Sequence, residues 1–123
     1  GGLRYHGSSP VISQLYHDGY LRAVSVEQSK VFEAAVMFAK CEGILPAPES
    51  SHAIRVAIGE ALRCKAEGKK KVILLGLTGT GYFDLAAYKQ YNDGTMKDTI
   101  PTDADLEKGF ATIPDFPVNQ GLL

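Results

Sequence analysis

Two short segments combine side chains able to move protons or meet a ligand with backbone stiff enough to hold them. They are Pro46-Ala47-Pro48-Glu49-Ser50-Ser51-His52 and Thr78-Gly79-Thr80-Gly81, the latter closely followed by Asp84. Prolines at 46 and 48 fix two φ angles and forbid regular structure through the corner. Glu49 is therefore held at the mouth of the helix that follows. A carboxylate there could act as an acid or base, or could simply stabilise the positive end of the helix by about 0.3–1 kcal/mol. Spacing alone favours neither. The second segment superficially suggests a dinucleotide fingerprint, but G-x-G-x-x-G would put glycine where Asp84 stands, and no acidic residue closes a second strand about twenty positions on. A GK[ST] phosphate loop is also absent. The glycines at 79 and 81 thus either admit something flat or small against the backbone or merely turn the chain, and turning is the default. His6, His17 and His52 share no metal-ligand spacing. Ser51 and His52 are adjacent, and adjacent residues on a helix point apart, which disfavours a Ser/His hydrolase.

The elements that must position these residues follow from periodicity. Residues 10–19 read as a short helix, with Val11, Ile12, Leu15 and Tyr16 on one face and Pro10 suited to the first turn. The alternating LRAVSV of 21–26 reads as a strand. Residues 27–42 form a helix with an apolar face wide enough to pack on two sides, closed by Gly43. A further helix, capped by Ser50 or Ser51, carries Ile54, Ala57, Ile58, Ala61 and Leu62 at three- and four-residue spacing and ends at Gly68. The nearly unbroken apolar VILLGL of 72–77 reads as a strand buried on both faces of a parallel sheet. Residues 84–91 open another helix. This order predicts an α/β fold, a Rossmann-like half of a three-layer doubly wound architecture with mainly parallel strands. Ligands of such folds sit at the carboxyl ends of the strands, which selects residues 25–27, 46–51 and 78–84. Residues 93–123 are a proline-containing tail whose one helical stretch, 103–109, has Thr102 as N-cap.

Composition sets the outer bounds. The 123 residues are 45% hydrophobic, with 13 Lys plus Arg against 14 Asp plus Glu, a formal charge of −1. That balance argues against nucleic acid or an anionic membrane surface as partner, since both demand clustered positive charge. Lys69-Lys70-Lys71 is the one basic run and reads as a solvated corner. No apolar stretch approaches the ~20 residues of a membrane-spanning helix, and no secretory signal is present. Cys41 and Cys64 lack ligand spacing, which favours reduced thiols in a cytoplasmic compartment. The opening Gly1-Gly2-Leu3, with no initiator Met, reads like a piece cut from a longer protein.

Taken together, residues 42–54 (EGILPAPESSHAI), Leu77-Thr78-Gly79-Thr80-Gly81 and Asp84 resemble the C-terminal part of the tryptophan synthase β-chain family, pyridoxal phosphate enzymes of fold type II. The opening Gly2-Leu3-Arg4-Tyr5-His6-Gly7 resembles the divergent second class of those chains. The resemblance runs to about Tyr91 and is only general in the tail, including residues 105–108 and Ile113-Pro114. It implies that residues 1–92 belong to the catalytic domain and that the chain is the last quarter to third of a parent enzyme. It also implies that Glu49 is the glutamate assisting proton transfers beside the cofactor, and that Thr78 contacts the pyridine nitrogen. Gly79 and Gly81 would let the backbone meet the ring edge, and Asp84 would cap its helix and shape the site. A neutral hydroxyl cannot hold the ring nitrogen protonated, so the implied cofactor is a weak electron sink, suited to β-elimination and β-replacement.

The Schiff-base lysine, the phosphate loop and the substrate domain of such enzymes have no counterpart in this sequence. The fragment alone is therefore expected to be inactive and not to bind pyridoxal phosphate. The implied partners are the N-terminal remainder of the parent chain, serine and indole as substrates, and a second copy in a homodimer; whether an α chain binds is left open. Thr80 stands where the family often has Arg, which leaves the substrate open too. The alternatives are a related fold type II enzyme acting on serine, threonine or cysteine derivatives, and a non-catalytic α/β binding module.

Overall fold

Six apolar or small side chains dictate where the chain folds. Val31, Phe32, Ala34 and Ala35 share the inner side of one helix, and Ile54 and Cys64 lie on the next; all six are buried. The computed structural model describes residues 8–113. The opening motif at 2–7 and the chain from Pro114 onward lie outside the described residues. The helices are α1 (Pro10–His17), α2 (Gln28–Glu42), α3 (Pro48–Ala66), α4 (Leu85–Asn92) and α5 (Asp103–Phe110), with a 3-10 turn over Gly81–Asp84 leading into α4. The α2 and α3 helices form the main packed pair. Phe32 centres the aromatic core. Its ring meets Tyr88 of α4 edge-on at 5.1 Å and stacks on Tyr91 at 6.0 Å, geometries that suit the ring quadrupoles.

The helix ends follow local chemistry. Gly43 takes φ +69° after α2, and its N–H bonds the Ala39 carbonyl, while Gly68 takes φ +65° after α3. Thr102 and Asp105 cap α5 reciprocally, in line with the expected N-cap. Two other cap expectations are corrected. The α3 helix begins at Pro48, not after Ser50 or Ser51, because a proline's fixed φ fits the first helical position. The Ser51 hydroxyl accordingly donates back to the Ala47 carbonyl at 2.8 Å. Asp84 occupies the N-cap position of α4 but makes no side-chain cap bond, since the 3-10 turn already leads the chain into the helix.

The larger correction concerns the sheet. Among the described residues the fold is helical, and neither 21–26 nor 72–77 forms a strand. The β-type pairing found among them is an isolated antiparallel bridge between Pro46 and Thr80. A strand exists only through a neighbour that takes its ladder hydrogen bonds, and neither candidate has one among the described residues. Val72 is 99% exposed and Leu74 96%, so side chains suited to burial on two faces stand uncovered. The apolar face of α1 is likewise open at Val11, Ile12 and Tyr16. No helix among the described residues is long and apolar enough to cross a membrane.

A polar clamp ties the segment after α4 to the start of α2. The Asp98 carboxylate accepts the Ser29 N–H at 2.7 Å and the Ser29 hydroxyl at 2.5 Å, a capping duty that the N-cap residue Glu27 does not perform. These bonds from Ser29 hold Asp98 below the usual aspartate range. A lowered folded-state value means the clamp is at full strength above the ordinary aspartate pKa of about 3.9 and is lost as pH falls through the depressed value. The Ser29 amide resonance should therefore titrate with a midpoint below about 3.9, and Asp98→Asn should abolish that titration. A midpoint at the ordinary value would mean that the carboxylate is free in solution.

Candidate functional site

The double-proline corner and the glycine turn lie far apart in sequence and meet directly in the fold. Around the bridge between Pro46 and Thr80, the Ala47 N–H donates to the Gly79 carbonyl and the Gly81 N–H to the Leu45 carbonyl, both at 2.9 Å. Ser50 adds a side-chain stitch: its hydroxyl oxygen accepts the Thr78 N–H at 3.1 Å and lies 3.1 Å from the Thr78 hydroxyl. Tyr88 anchors the corner from beneath. Its buried phenol donates to the Pro46 carbonyl at 2.5 Å, and burial pushes its pKa up, which keeps it a donor.

This packing explains the two glycines. A Cβ on Gly81 would overlap the Pro46 carbonyl oxygen and come within 2.9 Å of the Tyr88 ring and 3.0 Å of Leu45, while one on Gly79 would sit 3.1 Å from the Ala47 Cβ. Neither glycine takes a positive φ. What comes close to the turn is therefore the chain's own corner, and the missing side chains are demanded by that approach rather than by a left-handed turn.

Glu49 lies exposed in the first turn of α3, next to the buried Ser50. It borders an open cleft of about 750 Å³ together with His52, Asp84 and Glu27, and the segment 97–101 forms the facing wall. Ser25 and Val26 line the same cleft, so each of the three segments selected from the sequence contributes to its wall. Thr78, Gly79 and Gly81 are not part of that wall. Thr78 and Gly79 are exposed and Gly81 is buried. The link from Glu49 to Thr78 runs instead through Ser50, the residue that follows Glu49 and makes the stitch. His52 places Nδ1 3.0 Å from the Pro48 carbonyl; a carbonyl only accepts, so that bond requires a proton on Nδ1.

Sequence patterns do not reveal the two residues that hold the site together. Ser50 reads as a cap, and its actual partner is 28 positions away. Tyr88 falls within the expected helix of 84–91, and no spacing pairs it with Pro46.

No protein-family model matches the chain. Among curated proteins, it is 59% identical over 98 residues to the tryptophan synthase beta chain 2 of Aquifex aeolicus, covering 80% of this chain and 23% of that one. To the beta chain 2 of Methanosarcina mazei it is 59% identical over 97 residues, 79% of this chain and 22% of the relative. To that of Pyrococcus abyssi it is 50% identical over 107 residues, 87% of this chain and 24% of the relative. The chain thus spans about a quarter of the length of the curated relatives it matches. Identity of this level, over most of a chain whose corner and turn are stitched together, assigns it to the C-terminal part of the tryptophan synthase β-chain family, second class.

Proposed function

We propose that this chain forms one wall of the cofactor site in a pyridoxal phosphate-dependent lyase, whose complete form replaces the hydroxyl of L-serine with indole to give L-tryptophan. The observation that carries this reading is the stitching of the Glu49 corner to the Thr78 turn in a chain so similar to tryptophan synthase beta chains. The residues present fit the group. Thr78 is an exposed residue with a neutral hydroxyl, the kind of donor that suits an unprotonated pyridine nitrogen. When bound, the cofactor supplies an electron sink for the substrate's α-carbon. The Thr78 hydroxyl donates to the ring nitrogen without giving up its proton. Glu49 takes and returns protons at its carboxylate oxygens on the open side of the corner. Gly79 and Gly81, drawn tight against the corner, present backbone to the ring edge, and Asp84 shapes the neighbouring wall.

The remainder of the parent chain supplies the Schiff-base lysine, the phosphate loop and the substrate domain. It also supplies neighbouring strands, on which 21–26 and 72–77 become strands of a mainly parallel, Rossmann-like sheet with helices on both faces. The bare Val72 and Leu74 side chains support that reading. Residues 1–92 then belong to the catalytic domain and 93–123 to its tail. The enzyme works in the cytoplasm as a homodimer, and the fragment alone is inactive.

The test is an assay of the full-length protein with serine and indole, product resolved by chromatography. Tryptophan from the full-length enzyme, and none from the 123-residue chain, is the expected result. Pyruvate without tryptophan, or ketobutyrate when threonine replaces serine in the assay, would transfer the assignment to a related enzyme of serine, threonine or cysteine derivatives. Absence of both turnover and cofactor from the full-length protein would leave a binding module.

A further inference from the structure

Ser50 is enclosed, at 3% exposure, and its hydroxyl has one proton to place. That hydroxyl already accepts the Thr78 N–H. The remaining contact of the Ser50 oxygen is the Thr78 hydroxyl at 3.1 Å, where either oxygen could donate. Proton counting decides between them. Were Thr78 to donate, the Ser50 proton would be left buried without an acceptor among the described contacts, at the desolvation penalty of an unpaired buried group. With Ser50 donating, both its proton and its lone pair are used, and the hydroxyl of Thr78, an exposed residue, keeps its own proton for another acceptor.

We infer that Ser50 is a positioning residue: by gripping Thr78 at both its N–H and its hydroxyl oxygen, it turns the Thr78 proton toward the ligand side and fixes that group as a donor. The ligand atom that meets Thr78 must then be an acceptor that carries no proton of its own. This rests on the reading of Thr78 as the contact to the pyridine nitrogen. It gives Ser50 a task distinct from helix capping, which its place inside the first turn of α3 does not allow.

The experiment uses the full-length enzyme with Ser50→Ala, the near-isosteric Ser50→Cys, the hydroxyl-retaining Ser50→Thr, and Thr78→Val as the reference. Three quantities are read: exchange of the Thr78 amide hydrogen without cofactor, the Kd for pyridoxal phosphate, and the ¹⁵N shift of the bound ring nitrogen. Loss of one hydrogen bond corresponds to about a tenfold change. Ser50→Ala and Ser50→Cys should therefore each speed Thr78 exchange and raise the Kd by about tenfold, and should move the ¹⁵N shift in the same direction as Thr78→Val. Ser50→Thr should restore all three. Should Ser50→Ala fail to fold, Ser50→Cys, which keeps the packing, carries the test. If Thr78→Val moves the Kd and the ¹⁵N shift while the folded Ser50 variants do not, the inference about Ser50 fails and the reading of Thr78 stands. If Thr78→Val moves neither, the reading of Thr78 fails and takes the inference with it.

Discussion

In the full-length enzyme, Glu49→Gln is expected to lower kcat for tryptophan formation by roughly 10²–10⁴-fold, the range for loss of a positioned acid or base. The fold should survive, because the exposed Glu49 side chain lies outside the packed core and the amide has the same shape. What the substitution removes is the capacity to accept and return a proton. The competing role for Glu49, a carboxylate stabilising the start of α3, makes the opposite forecast. It predicts a loss of about 0.3–1 kcal/mol in stability and an unchanged kcat. Steady-state rates and a thermal melt on the same variant separate the two. A lowered Tm with wild-type turnover would remove Glu49 from the chemistry.

The second large effect is on stability. Gly81→Ala should destabilise the fold by roughly 3 kcal/mol, at the upper end for overpacking a filled site. The added methyl would overlap the Pro46 carbonyl oxygen, which is backbone and cannot swing aside, and would also press on Tyr88 and Leu45. Relief requires the turn to lift off the corner, which stretches the Gly81 N–H bond to Leu45 and the Tyr88 bond to Pro46. Gly59→Ala is the matched control. It lies within α3 with nothing within 4 Å of its Cβ position, so helix propensity alone should make it stabilising by up to about 1 kcal/mol. Denaturant midpoints of the two variants moving in the same direction would contradict the contact geometry at Gly81.

The helices are legible because their signals are local. The 3.6-residue apolar rhythm of α2 and α3, the left-handed glycines at 43 and 68, and the Thr102 and Asp105 pair each act within a few residues of where they stand. The expected start of α3 falls late because Ser50 and Ser51 are good caps, yet Pro48 is a better first residue. The two expected strands are absent for a different reason. An apolar run such as 72–77 records the surroundings a segment is suited to, but hydrogen bonds to adjacent strands make the strand, and those neighbours are not among the described residues. At the candidate site, the segments can be selected from sequence because prolines, glycines and a carboxylate stand out. The stitches cannot, since Ser50 to Thr78 and Tyr88 to Pro46 are tertiary contacts with no periodic signature.

The bare aliphatic row at 72–77 has a consequence for the protein's handling. An uncovered apolar segment whose backbone groups find no ladder partner among the described residues is a template on which other molecules can add, the first step of cross-β aggregation. Lys69, Lys70 and Lys71 stand immediately before it. Positive charge flanking such a segment acts as a gatekeeper, because stacking copies in register would bring like charges together. The lysine triplet thus stands where its charge would oppose the stacking of this segment on copies of itself.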